Sequence, residues 1–428
     1  MDIFDRLQDE RVSNEPERAI IVGLAADSMK IYDRSTNESL DELEALLETA
    51  GGTCLGRVLQ NRKKPEPRTF IGDGKVKEVK EIANANDCTI VVFDNELSPS
   101  QTKALTEDLE LRVLDRSSLI LDIFAERART REGRLQVELA QYNYLLPRLT
   151  GMWTHLVSQT GTSAPIGTRG PGETQLETDR RHIRRKIDKL KAELNEVIRT
   201  RDTQRRLREK NAVPVVALVG YTNAGKSTLL NALTGSDVQA ENRLFDTLDT
   251  TTRRLTVGDA GEILISDTVG FIRKLPHHLV NAFKATLEEL KYADLLIHVI
   301  DSSSSEWKEQ VRVVDDLIIT LDAGATPRIE AFNKCDVPSD NVIKHGENIV
   351  EISAKTGLGI DILLKMIEDN LFAFSKKVTL RITYDKAGLV EMLHREGTVK
   401  DVRYLEDCIE IDAIVGSGLY GKVSEYVV

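Results

Sequence analysis

The sequence predicts an α/β protein with two regions of alternating strands and helices, a long helical segment between them and a small α+β region at the C-terminal end. Three observations lead to this prediction. Apolar runs of strand length alternate with amphipathic stretches in two places, a charged segment of helical periodicity separates them, and a glycine-rich loop follows an apolar run in the second region. A chain of 428 residues is long enough for two to four domains.

Composition and cysteine usage predict a cytoplasmic protein. Cys54, Cys88, Cys335 and Cys408 are scattered without CxxC spacing, which is typical of a reducing compartment and argues against a zinc site or a disulfide framework. No apolar run approaches the roughly 20 residues that a membrane span needs, and the first residues lack the pattern of a signal segment. We therefore expect no membrane span, and we expect a monomer.

The net charge of −11 is distributed unevenly. Residues 126–210 contain 19 of the 58 basic and 11 of the 69 acidic residues, a net of +8, which leaves 39 basic and 58 acidic residues, a net of −19, elsewhere. A local field governs the binding of a polyanion more than the total charge does. This segment is therefore a candidate RNA-binding surface, although a solvated helix surface would have the same composition.

Residues 1–125 are predicted to form a small domain with a parallel sheet. Buried strands are expected at residues 19–25, 53–60, 88–94 and 111–115, and helices at 39–51, 74–86 and 98–109. The stretch "FIGDGK" (70–75) has two glycines that could form a phosphate turn, although such glycines more often lead into a helix. ATP binding by this domain is therefore kept as an alternative.

Residues 126–210 are predicted to form a basic helical hairpin with a glycine-rich tip. "REGRLQVELAQYNYLLPRL" has apolar residues at helical spacing as far as Pro147, where a helix should kink or end. Two helices joined by a loop pair most simply as an antiparallel hairpin. In the second helix an apolar stripe at steps of three, four or seven consists of Leu176, Ile183, Ile187, Leu190, Leu194 and Ile198.

Residues 211–374 are predicted to form a P-loop domain. An apolar strand at Val213–Val219 leads into "GYTNAGKS" (220–227), which matches G-x-x-x-x-G-K-[ST] and continues as a helix. Backbone N–H groups of such a loop and the helix N-terminus bind phosphates. Lys226 is expected at the β- and γ-phosphates and the Ser227 hydroxyl on Mg²⁺. The other expected contacts from this motif are Gly220, Tyr221, Thr222, Asn223, Ala224, Gly225 and Thr228.

The motif "DTVG" (267–270) follows a predicted strand at residues 263–266. Asp267 at the end of this strand can support the Mg²⁺ ligands, and Gly270 can bring its N–H group to the γ-phosphate. Thr268 and Val269 complete this loop. A motif this short is weak evidence by itself, and it indicates a nucleotide site because it follows the P-loop.

The motif "NKCD" (333–336) predicts selection of guanine. The Asp336 carboxylate can accept two hydrogen bonds from the N1–H and N2–H₂ edge of guanine, which adenine lacks. Lys334 would lie along the base, Asn333 would brace the neighbouring loops, and Cys335 lies between these positions. "SAK" would place a backbone N–H from Ser353, Ala354 or Lys355 at the guanine O6.

Four motifs in this order, each after a predicted strand, predict a GTPase domain that binds GTP and GDP. Arg328 and Glu330 interrupt the strand before "NKCD", for which an edge or bent strand would account. Residues 375–428 are predicted to form strand, helix, strand and strand, a small α+β C-terminal domain.

The combination of "GYTNAGKST", "LFDTLDTTTRR", "DTVGFIRKLPHHLVNAFKATLEE" and, upstream, "GTRGPGETQLETDRR" resembles the HflX family of translation-factor-related GTPases. The resemblance extends from the first domain to the end of the GTPase domain. It implies GTP hydrolysis by a ribosome-associated protein that binds the large subunit and can separate the two subunits, returning stalled ribosomes to use.

The threonine that senses the γ-phosphate through Mg²⁺ must lie between the P-loop and Asp267. Spacing alone leaves Thr247, Thr250, Thr251 and Thr252 open. The resemblance implies Thr247, and the same segment places Phe245, Asp246, Leu248 and Asp249 at the nucleotide. GTP would order Thr247 and the loop from Asp267 to Phe271, and hydrolysis would release it.

Phe271 occupies the position at which many regulatory GTPases have a glutamine that orients the attacking water. A phenyl ring cannot accept that hydrogen bond, so hydrolysis should be slow alone or assisted from elsewhere. Relatives with asparagine at the position of Asn223 can recruit K⁺, which makes K⁺ a candidate cofactor beside Mg²⁺. Lys226, Thr247, Gly270 and Asn223 are therefore the candidate catalytic residues.

The run "GTRGPGET" (167–174) lacks the strand before it and the lysine after it that a phosphate loop requires. Its small residues predict a tip that enters the RNA of the large ribosomal subunit, at its catalytic centre. The candidate RNA contacts are Trp153, His155, Arg169, Arg180, Arg181, Arg184 and Arg185. The alternative is a regulatory GTPase that acts on a protein effector without RNA.

Overall fold

The computed structural model describes residues 16–30, 33–149, 171–209, 213–235, 244–245, 251–258, 261–275, 288–339, 341, 346–372, 376–415 and 417–428. The chain divides into two compact units. The first comprises Met1–Ala192 and Arg273–Ala282, and the second comprises Glu193–Ile272 and Phe283–Val428. Among the helices in these described ranges, none is both long and apolar enough to cross a membrane.

The first unit contains a four-stranded parallel sheet, which confirms the predicted α/β fold. Its strands lie in the order β2–β1–β3–β4 and are β1 (Arg18–Ala26), β2 (Thr53–Arg62), β3 (Ile90–Phe93) and β4 (Arg112–Asp115). The connecting helices are α1 (Asn37–Thr49), α2 (Asp73–Ala85) and α3 (Pro99–Leu109). The central strands β1 and β3 are buried almost throughout, as predicted. The expectation of burial is wrong for β2, an edge strand that exposes several residues. In β4, the other edge strand, it holds for Val113 and Asp115 but not for Arg112.

Three further helices follow the first sheet: α4 (Arg116–Arg127), α5 (Arg131–Leu145) and α6 (Pro171–Glu209). Helix α5 ends two residues before Pro147, as its missing N–H group predicts. Along α6 the members of the predicted apolar stripe are buried at Ile183, Ile187, Leu190 and Leu194 and half-buried at Ile198. The side chain of Leu176 lies outside the described part of the structure. Lys186 of α6 pairs with Glu138 of α5 at 3.0 Å, so these two helices contact each other.

The second unit contains a six-stranded sheet in the order β10–β9–β8–β5–β7–β6. Its strands are β5 (Val215–Gly220), β6 (Thr251–Val257), β7 (Gly261–Asp267), β8 (Leu295–Asp301), β9 (Arg328–Asn333) and β10 (Ile349–Glu351). Only the β6–β7 pair is antiparallel among the pairs described. Helices α7 (Lys226–Thr234), α8 (Trp307–Thr320) and α9 (Ile360–Phe372) accompany this sheet. Because β5, β7, β8 and β9 are parallel, their carboxyl ends share one edge, where ligands bind in such sheets.

Strand β9 lies inside the sheet, between β8 and β10, so the edge-strand explanation for its charged residues is wrong. Arg328 instead donates to Asp315 of α8 and lies 3.1 Å from the Glu330 carboxylate. These ion pairs satisfy both charges at a partly buried position, which is why the apolar pattern can be interrupted there.

The C-terminal part is a three-stranded antiparallel sheet in the order β11–β13–β12. Its strands are β11 (Lys376–Thr383), β12 (Thr398–Tyr404) and β13 (Cys408–Val415), and helix α10 (Gly388–Glu396) follows β11. The predicted succession of strand, helix, strand and strand is confirmed. A last helix, α11 (Ser417–Val423), was not predicted.

Candidate guanine-nucleotide site

The phosphate loop joins β5 to α7 at the carboxyl edge of the second sheet. Gly225, the residue before α7, has a φ of 97°, a conformation that side chains with a Cβ rarely adopt. A Cβ there would lie 2.2 Å from Asn333 Nδ2, and a Cβ on Gly220 would lie 2.3 Å from the Val299 carbonyl oxygen. Both glycines are therefore required by close approach of neighbouring groups, which positions the loop against β8 and β9.

Lys226 is the first residue of α7, and its ammonium group is buried. It donates hydrogen bonds to the carbonyl oxygens of Gly220 at 3.1 Å and Tyr221 at 2.8 Å. Burial lowers the pKa of Lys226 to about 8, although the nearby Asp267 carboxylate opposes this shift. The loop therefore holds a desolvated cation that would be stabilised by a phosphate anion.

Ser227 and Asp267 meet next to the phosphate loop. The Ser227 hydroxyl donates to Asp267 Oδ2 at 2.7 Å, and Asp267 is buried at the end of β7. The next residue, Thr268, donates to the Leu218 carbonyl at 2.6 Å and so fixes the start of the loop. A hydroxyl and a carboxylate are the hard oxygen donors that Mg²⁺ prefers, so these residues fit the expected ion.

Gly270 and Phe271 lie against the phosphate loop. The Phe271 N–H donates to the Gly220 carbonyl at 3.1 Å, and the Thr222 N–H donates to the Phe271 carbonyl at 2.7 Å. A Cβ on Gly270 would lie 2.9 Å from Thr222 Cγ2 and 3.2 Å from Lys226 Nζ. The Phe271 ring is buried, with 1% of the residue exposed, so it is directed into the protein core. Val269, the preceding residue, is buried as well.

The Asn333 side chain joins two loops of the site. Its Nδ2 donates to the Ala224 carbonyl at 2.8 Å, and its Oδ1 accepts from the Ala354 N–H at 2.9 Å. One side chain thus connects the phosphate loop with the "SAK" loop, which is the bracing that its motif suggests.

The remaining residues of the guanine motif lie in the loops that follow β9 and β10. Asp336 is exposed, and a hydrogen bond from Ser353 holds the pKa of its carboxyl below the usual range. Lys334 adopts a positive φ of 65° and pairs with Asp301 at 2.6 Å. Lys355 is exposed beside the buried Ala354, and Cys335 donates its N–H to the Ile352 carbonyl. The Asp336 carboxylate is therefore ionised and accessible to a hydrogen-bonding edge.

The structure adds Asp301, which none of the sequence motifs contains. Asp301 ends β8 and lies opposite Asn333 in the register of β8 and β9. It fixes the Lys334 ammonium group, which would otherwise have to be ordered by the nucleotide. The order of the strands would have identified Asp301 as a site residue, because the carboxyl ends of the neighbouring parallel strands β8 and β9 lie side by side.

Several predicted positions lie outside the described residues: Asp246, Thr247, Leu248, Asp249, Trp153, His155 and Arg169. Thr250 also lies there, whereas Thr251 and Thr252 begin β6 and Phe245 is buried. Asn223 is exposed in the phosphate loop with a φ of 60°, and Thr228 lies half-buried in α7. On α6, Arg181, Arg184 and Arg185 are exposed, and Arg180 is half-buried.

The turn "FIGDGK" in the first unit does not have the geometry of the phosphate loop. The Gly72 N–H donates to Gln60 Oε1 at 2.9 Å, and a Cβ on Gly72 would lie 2.6 Å from an Arg62 guanidinium nitrogen. Asp73 begins helix α2, and its carboxylate would repel a phosphate at the helix N-terminus. Side chains of the protein occupy this turn, which disfavours the ATP alternative.

Three family models match successive parts of the chain. They are described as GTP-binding GTPase N-terminal (37–125), GTP-binding GTPase Middle Region (127–208) and 50S ribosome-binding GTPase (215–334). The last range contains the phosphate loop, "DTVG" and the first two residues of "NKCD".

Bacterial relatives match over most of their length. GTPase HflX of Caldanaerobacter subterraneus subsp. tengcongensis is 44% identical over 98% of this chain and 96% of its own length. GTPase HflX of Escherichia coli (strain K12) is 47% identical over 81% of this chain and 82% of its own length. Among solved structures, a GTP-binding protein from Sulfolobus solfataricus in complex with GDP is 24% identical, covers 83% of this chain and 98% of that chain, and gives a TM-score of 0.43.

Proposed function

The chain belongs to the HflX family of GTPases, and from this premise we propose that it is a factor that binds the large ribosomal subunit and splits or rescues stalled ribosomes. Its reaction is the hydrolysis of GTP. The observation that carries the proposal is the match of residues 215–334, which include the phosphate loop, to the family described as 50S ribosome-binding GTPase. In this proposal residues 1–125, 126–210, 211–374 and 375–428 are separate domains, of which 126–210 contacts RNA and 211–374 is the switch.

The proposed hydrolytic site assigns a role to each group around the phosphates. Lys226 would transfer its hydrogen bonds from the Gly220 and Tyr221 carbonyls to the β- and γ-phosphate oxygens. Ser227 and Thr247 would hold Mg²⁺, with Asp267 behind them, and Gly270 would donate its N–H to the γ-phosphate. When bound, Mg²⁺ neutralises charge on the β- and γ-phosphate oxygens. Because the Lys226 ammonium group is already buried, it would stabilise charge on the phosphate oxygens more strongly than a solvated cation would.

The attacking water is not oriented by the side chain of Phe271, because that ring is buried. Intrinsic hydrolysis should therefore be slow. We propose that Asn223, which is exposed in the phosphate loop, recruits K⁺ beside the bridging phosphate oxygen. Turnover should then be higher in K⁺ than in Na⁺ at equal ionic strength. Equal turnover in K⁺, in Na⁺ and without a monovalent metal ion would exclude this role.

The proposed RNA contacts lie on α6 and at the tip before it. Arg181, Arg184 and Arg185 are exposed within four residues of one another, so their positive charges are available to phosphates. Arg180, Arg169, Trp153 and His155 complete the proposed set. Counterion release makes such binding weaken as salt rises, while the acidic remainder of the chain limits unspecific binding to RNA.

The direct test is sedimentation with purified ribosomal subunits in the presence of GDP or a non-hydrolysable GTP analogue. We expect association with the large subunit that is stronger with the GTP analogue. Absence of this association would overturn the ribosomal proposal and would favour a GTPase that acts on a protein effector.

A deletion of residues 161–169 tests the tip. The deletion should leave intrinsic GTP hydrolysis unchanged and impair subunit separation, measured by light scattering of intact ribosomes. A control is Arg312→Ala on α8, an exposed position outside the proposed RNA contacts, which should leave subunit separation unchanged. Unchanged subunit separation in the tip deletion would contradict the role of the tip.

A further inference from the structure

Thr222, the third residue of the phosphate loop, has a buried hydroxyl that packing alone does not explain. Only 6% of the residue is exposed, and Oγ1 has no hydrogen-bond partner among the residues that the structure describes. A buried hydroxyl without a partner lowers stability, because it has given up its hydrogen bonds to water. A valine of nearly the same shape would avoid this cost, so the hydroxyl at this position calls for another role.

Two neighbouring hydroxyls of the site are used inside the protein. The Ser227 hydroxyl donates to Asp267 at 2.7 Å, and the Thr268 hydroxyl donates to the Leu218 carbonyl at 2.6 Å. Each of these bonds fixes one loop of the site. The Thr222 hydroxyl makes no such bond within the described ranges, so a molecule bound at the loop is the partner that it suits.

Main-chain contacts fix the position of Thr222 independently of its hydroxyl. The Thr222 N–H donates to the Phe271 carbonyl at 2.7 Å, and the Phe271 N–H donates to the Gly220 carbonyl at 3.1 Å. These bonds belong to a parallel bridge between Tyr221 and Phe271. A substitution that removes only the hydroxyl should therefore leave the loop in place.

Thr222 lies beside two groups that are expected at the γ-phosphate. A Cβ on Gly270 would lie 2.9 Å from Thr222 Cγ2 and 3.0 Å from Thr222 Cα, so the two residues pack directly against each other. Lys226 Nζ binds the carbonyl of Tyr221, the residue before Thr222, at 2.8 Å. All four residues belong to the second unit. The hydroxyl is thus carried by a residue that adjoins the expected place of the reacting phosphate.

The reaction requires a group that holds the attacking water in line. The water oxygen forms a bond to the γ-phosphorus while the bond from phosphorus to the oxygen of GDP breaks. One water proton stays on the phosphate product and the other passes to solvent. Phe271 cannot orient this water, because its ring is buried and has no hydrogen-bonding atom.

We propose that Thr222 is a catalytic residue whose hydroxyl oxygen accepts a hydrogen bond from the attacking water. It would supply the hydrogen bond that the side chain of residue 271 cannot supply. The role of Thr222 rests on the proposed place of Gly270 at the γ-phosphate. It does not depend on ribosome binding, because it concerns hydrolysis by the free protein.

The test is Thr222→Val in the full chain without ribosomes. The rate of phosphate release in a single turnover at saturating GTP should fall about tenfold, the loss of one hydrogen bond in the transition state. Affinities for GDP and for a non-hydrolysable GTP analogue, measured by calorimetry, should stay within twofold of the wild type. Affinity for GDP with aluminium fluoride, which mimics the phosphoryl group in transfer and its attacking water, should fall by the same factor as the rate.

Three further variants serve as comparisons. Thr222→Ser retains the hydroxyl and should keep at least half of the rate. Thr222→Ala lacks the hydroxyl and should lose at least as much rate as Thr222→Val. Thr320→Val is a matched control, because the Thr320 hydroxyl is bound to the Asp316 carbonyl at the exposed end of α8 and should affect none of these quantities.

Several results would overturn the role of Thr222. One is a rate within twofold of the wild type in both variants that lack the hydroxyl. Another is a rate in Thr222→Ser as low as that in Thr222→Val. A fall in affinity for the GTP analogue that matches the fall in rate would assign the hydroxyl to ground-state binding instead. Urea unfolding should show Thr222→Val to be no less stable than the wild type, and a clear loss of stability would indicate a structural bond. Failure of the protein to bind large subunits would refute the ribosomal proposal and leave the rate effect standing.

Discussion

The two parallel sheets of this chain end in very different carboxyl edges. In the first unit Asp94 follows β3 and Asp115 ends β4, and both carboxylates are buried. Asp115 accepts hydrogen bonds from Tyr144 at 2.8 Å and Arg148 at 3.3 Å. Asp94 is occupied by Arg116, two serine hydroxyls and Lys274.

In the second unit the corresponding edge carries a glycine-rich loop and leaves hydrogen-bonding groups accessible. Asn223, Asp336 and Lys355 are exposed there. Both edges satisfy the rule that polar residues gather where parallel strands end. The difference teaches that an edge filled by the chain's own charges contributes stability, whereas an edge with accessible donors and acceptors is suited to a ligand.

The largest effect expected at the open edge is that of Lys226→Ala. Loss of its charge should lower kcat for GTP hydrolysis by about 100- to 1,000-fold, because a desolvated cation acts on developing phosphate charge. The free energy of unfolding should not fall, since a buried cation of lowered pKa is removed. Phosphate release and urea unfolding measure the two quantities. Lys308→Ala, an exposed lysine on α8, is the control, and a large loss of stability in Lys226→Ala would contradict the distinction between the edges.

At the filled edge, Asp115→Ala should show the opposite pattern. Removal of this carboxylate breaks its ion pair with Arg148. It also removes the N-cap of α4. We expect a loss of about 3 kcal/mol in the free energy of unfolding, with kcat for GTP hydrolysis within twofold of the wild type. Denaturant unfolding of the full chain measures the loss of stability, and phosphate release measures kcat. Asp108→Ala, at the surface pair with Arg68, should cost much less, and an equal cost in both variants would count against the comparison.

A smaller effect is expected for Asp336→Asn, which changes selectivity. The asparagine amide cannot accept two hydrogen bonds from the guanine edge, so GTP affinity should fall roughly 10- to 100-fold. Xanthosine triphosphate presents an oxygen in place of the 2-amino group and should gain affinity. Competition binding measures both, and Asp385→Asn, far along the chain in the C-terminal sheet region, is the control. Unchanged preference for GTP would remove Asp336 from the base site.

The smallest effect concerns Arg181→Ala on α6. Arg181 is exposed and lies 3.8 Å from Glu177, so the free energy of unfolding should change by less than about 0.5 kcal/mol. If Arg181 contacts a phosphate of ribosomal RNA, the slope of log affinity against log salt should fall by about 1. Arg312→Ala on α8, which has an exposed pair with Glu309, should leave that slope unchanged. A slope equal to that of the wild type would remove Arg181 from the RNA contacts.

The parts of the fold and site that the sequence predicts are local ones. The phosphate loop from Gly220 to Ser227 is specified within one strand, turn and helix, so its motif suffices. The apolar stripe of α6 is likewise visible as a periodicity, and its central members are buried. In both cases the residues that determine the structure are neighbours in the sequence.

The parts that the sequence does not predict depend on the packing of distant segments. The pairing of Asp301 with Lys334 requires the order of β8 and β9, and the edge position of β2 requires the order of the whole first sheet. Lys274 and Asp94 are 180 positions apart. Hydrophobic periodicity cannot reveal an ion pair at that separation, because it reports which face of an element is buried and not which element covers it.

The hydrogen bonds between Phe271 and the phosphate loop are formed entirely by main-chain atoms. Systematic replacement of side chains by alanine would therefore leave these hydrogen bonds intact and would not detect the contact. Phe271→Pro is the exception, since proline has no N–H to offer the Gly220 carbonyl. A deep mutational scan of this chain should thus show intolerance of proline at residue 271 that exceeds the cost of losing the ring, and that excess would measure the main-chain contact by itself.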